Sequence, residues 1–123
     1  MARVQRLPLS FSDAGRMILA TEGSDIPVHR AISGQVGFDD VWLWLTNRHT
    51  ADIVVAILWG SGASVDLLQV NAVALRTTLV IPGWSISNEN LISVNCPASG
   101  GYTDPISVYG YINRFFQQFT QIG

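Results

Sequence analysis

Few residues in this chain have types and spacings that chemistry can use. The two histidines, His29 and His49, show no H-x₃-H or H-E-x-x-H spacing. A metal centre needs three or four converging ligands, so both are expected at the surface or in loops. Asp39-Asp40 is the only adjacent acidic pair. A carboxylate dyad needs a partner in a cleft; just ahead of an apolar strand, such a pair is expected to solvate a loop and blunt a sheet edge. Gly60-Ser61-Gly62-Ala63-Ser64 lacks the lysine of a phosphate loop and no helical pattern follows it. Neither it nor Gly83-Trp84-Ser85-Ile86-Ser87 completes a G-x-S-x-G nucleophile elbow. Cys96 has no partner cysteine and no base beside it, which makes it a buried structural thiol. With no nucleophile, base and acid visible together, no catalytic, cofactor-binding or metal-binding residue is assigned, and a small hydrolase ranks last among the readings.

The four tryptophans remain. Trp42 and Trp44 share one face of the run VWLWLTN, Trp59 closes the run IVVAILW, and Trp84 follows a Pro-Gly pair. Exposed aromatic rings can stack on sugars, which would suggest a carbohydrate-binding module, although no ring of polar side chains can be placed around them. A half-buried strand alternates apolar and polar residues; these two runs are apolar on both faces. If Trp42 and Trp44 fill the interior, Val41, Leu43 and Leu45 face outward; if not, the tryptophans do. Either way an apolar outer face needs a cover, supplied by the same chain or by a neighbouring protein.

Composition points the same way. The chain has 123 residues, enough for one domain with a real core. Apolar residues make up 48% and charged residues only 13%, about half the usual charged share. Part of the surface is therefore expected to be covered. The seven basic residues are all arginine and are scattered, and the net charge is −2, so there is no nucleic-acid footprint. Without lysine, a Walker A loop and a Schiff base are both excluded. Arginine is favoured in interfaces and lysine depleted there. No apolar run reaches membrane-span length, and the start MARVQRLPLSFSDAG has no long apolar stretch, so folding in the cytoplasm is expected.

Short Val-, Ile-, Thr- and Trp-rich runs separated by turn signals have to position these residues. Strands are expected near Val28–Ser33, Val41–Asn47, Ile53–Trp59, Leu67–Val70, Val73–Ile81, Leu91–Cys96 and Ile106–Phe115, with Pro82-Gly83 stopping the fifth. Residues 1–26 read as an N-terminal arm or short strands, with LPLSF alternating; a short helix near Met17–Thr21 is the opposing reading. Residues 27–115 form the sandwich domain and 116–123 a tail. The spacing of the strands suggests an all-β sandwich or barrel, and the fold class expected is all-β, a single jelly-roll-like β-sandwich with an N-terminal arm. In ISVYGYINR, Gly110 leaves room for a large neighbour, such as a tryptophan, or marks a bulge.

The order of motifs resembles a group of small tailed-bacteriophage virion proteins. In these, V-W/Y-L-x-L-T-N is followed by a polar turn and an apolar strand ending in W/Y-G-G. A strand ending in V-x-P-G comes next, and a last strand reads φ-x-φ-x-G-Y-φ-N-R, with φ apolar. The matching segments are VWLWLTN (41–47), ADIVVAILWG (51–60), LVIPG (79–83) and ISVYGYINRF (106–115). Ser61 departs from the pattern at the second glycine, and the two ends of the chain fall outside it. The resemblance implies a non-enzymatic structural protein of the virion, a capsid decoration or cement protein. It would bind the major capsid protein or other virion proteins and sister copies, as a dimer or trimer, without nucleic acid, membrane or cofactor. A carbohydrate-binding, tail or head–tail adaptor module is the alternative. The residues expected at the interface are Leu7, Leu9, Phe11, Trp42, Trp44, Trp59, Trp84, Tyr109, Tyr111 and Phe115.

Overall fold

A computed structural model describes residues 3–20, 23–61, 64–96 and 106–116. Nine strands follow one another: β1 (Arg3–Pro8), β2 (Ile18–Ala20), β3 (Asp25–Arg30), β4 (Gly37–Asn47), β5 (Ile53–Ser61), β6 (Ser64–Ala72), β7 (Thr77–Ile86), β8 (Leu91–Asn95) and β9 (Ile106–Phe116). They form two antiparallel sheets. One runs β1-β9-β4-β7, with β2 also on β9; the other runs β3-β8-β5-β6. β1 pairs with the second half of β9 and β2 with the first half, so the two act as one interrupted edge strand. The pairs β1/β2 with β9, β3 with β8, β4 with β7, and β5 with β6 then nest inside one another along the chain. That nesting is the jelly roll.

Alternation decides which face lies inside. In β4 the buried residues are Gly37, Asp39, Val41, Leu43, Leu45 and Asn47, and Trp42 and Trp44 lie on the outer side, half-buried. The ambiguity in VWLWLTN is thus resolved by the smaller side chains going in. Val41, Leu43 and Leu45 meet Ile53, Val55 and Ile57 of the other sheet, with Ile92, Val94, Ile106, Val108 and Ile112 completing the core. Cys96 is buried there too.

One alternative falls and two expectations about elements change. Residues 18–20 pair with β9 as one of the short strands expected in residues 1–26, and no helix occurs among the described residues. Residues 73–76 form a turn with Leu75 at φ 60°, and β7 starts at Thr77 and runs through Pro82-Gly83 instead of stopping there. Pro82 is tolerated because β7 is an edge strand, where one side needs no N–H, and because its pairing with β4 shifts register at Val41/Trp42 and Leu43/Trp44. The other change concerns Gly110. Its neighbour is backbone, not a tryptophan ring: a Cβ there would overlap the carbonyl oxygen of Trp42. Residues 97–105 and 117–123 lie outside the described residues, whereas Phe116, assigned to the tail by the sequence, is the last residue of β9.

Candidate functional site: an aromatic outer face above a buried polar network

The motif residues fix the strands that carry the site. Asn47 is fully buried at the end of β4. Its side-chain amide donates to the carbonyls of Ala51 (2.8 Å) and Ala72 (2.9 Å), and its Oδ1 accepts from the N–H of His49 (2.8 Å). One asparagine thereby ties the β4–β5 turn to the end of β6. Gly83, at φ +83°, lies under the ring of Trp42; a Cβ there would sit 3.0 Å from that ring. Asn47 thus fixes a turn, and Gly83 leaves room for the Trp42 ring.

On the outer side of β4 and β9, residues opposed in register are Phe38 and Phe115, Asp40 and Asn113, Trp42 and Tyr111, and Trp44 and Tyr109. Phe38 stacks on Phe115 with centroids 4.8 Å apart. Trp42 and Trp44 stack at 6.4 Å, and Tyr109 and Tyr111 lean on Trp44 at 5.9 and 5.8 Å. One arginine of β1 flanks the array: Arg6 lies over the Tyr111 ring at 4.2 Å and donates to Asn113. Such aromatic and arginine groupings are enriched at protein interfaces. Tyr109 is 47% exposed and Leu79, opposite Trp44 on β7, 42%.

The residues expected at an interface do not all gather here. Trp42, Trp44, Tyr109, Tyr111 and Phe115 share this face. Leu9 is in the core at 2% exposure, because the chain turns inward after β1 to cap the open edge of the sandwich. Leu7 is half-buried against the same core, and Phe11 is exposed in the loop beyond. Trp59 and Trp84 point inward from opposite sheets and meet edge-on at 5.2 Å, packed against the core.

Beneath the aromatic face lies a cluster that no short motif announces. His29 and Asp39 are both buried, so neither takes the surface or loop position expected of it. Loop 9–17 brings Ser10 to His29: the Ser10 N–H donates to Nδ1 (3.1 Å), and Ser10 Oγ lies 2.9 Å from the same nitrogen. This assigns Nδ1 as acceptor, so Nε2 carries the proton and donates to Asp39 Oδ2 at 2.7 Å. Arg114, directly opposite Asp39 in the β4–β9 ladder, grips both carboxylate oxygens at 2.8 and 3.0 Å, and the N–H of Ile32 donates to Oδ2 as well. Burial pushes the Asp39 carboxyl up, but the hydrogen bonds from His29 and Arg114 and the charge of Arg114 outweigh it and hold it at about 2. The same pairing raises the Arg114 guanidinium above its usual range.

Ser10, His29 and Asp39 are therefore connected as nucleophile, base and orienting acid would be, a set not visible in the sequence. Two features make this arrangement a clamp. Ser10 Oγ is occupied by the N–H of Arg30, which donates to it at 2.7 Å. Asp39 is neutralised by a bidentate arginine rather than reserved for the imidazole. The cluster joins loop 9–17, β3, β4 and β9, and so bolts one sheet to the other. Among the described residues no group of three metal-ligating side chains comes together.

No protein-family model, curated protein or solved structure matches the chain.

Proposed function

We propose that this chain is a non-enzymatic structural subunit of a bacteriophage particle that attaches to its protein neighbours through the outer aromatic face of the β1-β9-β4-β7 sheet. The observation that carries the reading is the unpartnered array of Phe38, Trp42, Trp44, Tyr109, Tyr111 and Phe115 on a rigid sheet. Aromatic rings on a fixed backbone offer contact area at low entropic cost. The jelly roll is a common fold of capsid and lectin domains, and the motif order resembles that of small tailed-phage virion proteins. Capsid decoration is the reading we favour, with the major capsid protein as partner.

The test is cosedimentation of the purified chain with assembled particles that lack it. Tyr109→Glu should abolish binding while leaving the circular dichroism spectrum unchanged; undiminished binding would sink the proposal. Deleting residues 1–26 is not a usable test of an attachment arm, since Arg3–Pro8 and Ile18–Ala20 belong to the sheet and Leu9 to the core. A second reading, stacking on a glycan, is favoured by one observation: Arg6, Asp40 and Asn113 stand beside the rings and can reach hydroxyl groups. Quenching of tryptophan fluorescence by oligosaccharides, lost in Trp44→Ala, would support it over protein attachment.

A further inference from the structure

The two sheets end in four edges, and three are guarded. β1 carries Arg3, Arg6 and Pro8, and the chain leaves the edge at Leu9. β7 contains Pro82-Gly83 and two register shifts. β3 contains Pro27, with a shift between Pro27 and His29. Prolines, arginines, interruptions and bulges are the devices that keep sheet edges from pairing with other chains. β6, SVDLLQVNA, is guarded least: its one charge, Asp66, stands at the inward-phase position opposite Trp59, and it has no proline, glycine or basic residue and pairs with β5 without a shift from Ile53↔Ala72 to Ser61↔Ser64. Next to this edge the outer face of the second sheet is aliphatic: Val54, Val65 and Leu67 are each about half exposed or more, at 50%, 47% and 57%.

We propose that β6 is a self-association edge, on which a second copy of this chain docks β6 against β6, antiparallel, about a two-fold axis. The occupant follows from the strand's own sequence. An antiparallel pair of identical strands is isologous and closes after two copies, with no open edge left to propagate. Centred on Leu68, the register sets Leu68 against itself, Leu67 opposite Gln69, Val65 opposite Asn71 and Asp66 opposite Val70. The two Asp66 carboxylates then lie four positions apart, about 13 Å along the strand, so like charges do not meet. The two four-stranded sheets become one of eight strands, and the aliphatic patches of the two copies adjoin across the seam. This edge lies on the opposite sheet from the aromatic face, and the inference does not rest on that face's role.

Sedimentation velocity over a concentration series tests it. The wild-type chain is expected to be a dimer, and Val65→Lys/Leu67→Lys a monomer with an unchanged far-ultraviolet spectrum, since both side chains are exposed. Tyr109→Glu should remain a dimer, which separates this edge from the aromatic face. Should the lysine pair fail to fold, hydrogen exchange on the wild type gives the same answer: amides of Ser64–Ala72 gain protection as concentration rises. For the register, Val65→Cys/Asn71→Cys places each new thiol opposite its partner's, at a spacing a disulfide spans, and oxidation should yield a covalent dimer. A wild-type monomer throughout, a dimer indifferent to the lysines, or β6 amides insensitive to concentration would overturn the proposal.

Discussion

Strands β4 and β9 carry opposite chemistries on their two faces. Inward, Asp39 faces Arg114 and, through His29 and Ser10, the charge is wired into the other sheet. Outward, Trp42, Trp44, Tyr109 and Tyr111 spread apolar rings toward solvent. Inside, that polar pair sits among the apolar Val41, Leu43, Leu45, Val108 and Ile112, as in any sandwich strand; outside, where such a strand ordinarily presents polar side chains, this one is aromatic. The difference lies in completion. Among the described residues, every buried side-chain nitrogen and oxygen has a hydrogen-bond partner within the chain, whereas the rings touch one another, have Arg6 laid over Tyr111, and leave Tyr109 47% exposed. The inner cluster belongs to the fold; the outer one is the face we propose for attachment.

The largest effect should come from breaking the inner cluster. Arg114→Met leaves Asp39 buried without its bidentate partner and is expected to cost roughly 3–5 kcal/mol of stability, read from chemical denaturation. Arg114→Lys should recover only part of that, since an ammonium cannot grip both oxygens as a planar guanidinium does. A loss under about 1 kcal/mol would mean that the cluster is ornamental and that the comparison between faces fails. Gly110→Ala comes next. It drives a methyl group into the β4 backbone at Trp42 and Leu43, on the buried side of the sheet, and should cost about 1–3 kcal/mol by displacing one strand from the other.

These two predictions also mark what the sequence could and could not disclose. Strand existence was legible because Val, Ile and Trp runs alternate with turn residues, and their number and spacing pointed to a sandwich or barrel. The inner face of VWLWLTN was not legible, since both faces are apolar and only packing volume separates them. The clamp was least legible of all. Ser10, His29, Asp39 and Arg114 are unremarkable one by one and come from four distant segments, so only the nesting of β3 beside β8 and of β9 beside β4 brings them together. Asp39 in particular sits at an inward position of β4, a phase that the adjacent Asp40 disguises. The motifs behind the family resemblance turn out to be structural: Asn47 stitches a turn, Gly83 and Gly110 permit close approach, and Arg114 holds Asp39. They speak for the fold more than for a partner.

A third test uses acid. Asp39 has a carboxyl held at about 2, below its ordinary 3.8. A group whose folded value is depressed contributes stability that is complete above the ordinary value and is lost as pH falls through the folded one. The melting temperature should therefore drop between about pH 4 and pH 2. In Asp39→Asn, which is less stable at neutral pH, most of that drop should vanish. An unchanged acid profile in the variant would remove Asp39 as its source.

The smallest effect on stability should come from the outer face, and there the comparison is sharpest. Tyr109 is nearly half exposed and touches Trp44 only through its ring. Tyr109→Ser removes apolar surface that the chain does not fully bury, so unfolding free energy should change by less than about 1 kcal/mol. On the attachment proposed above, binding to assembled particles should nonetheless fall at least tenfold, because an aromatic contact in an interface commonly carries more than its share of the affinity. If instead Tyr109→Ser destabilises the chain as much as Arg114→Met does, the aromatic array is part of the fold's own support. The division between a face that is finished and a face that waits for a neighbour would then be wrong.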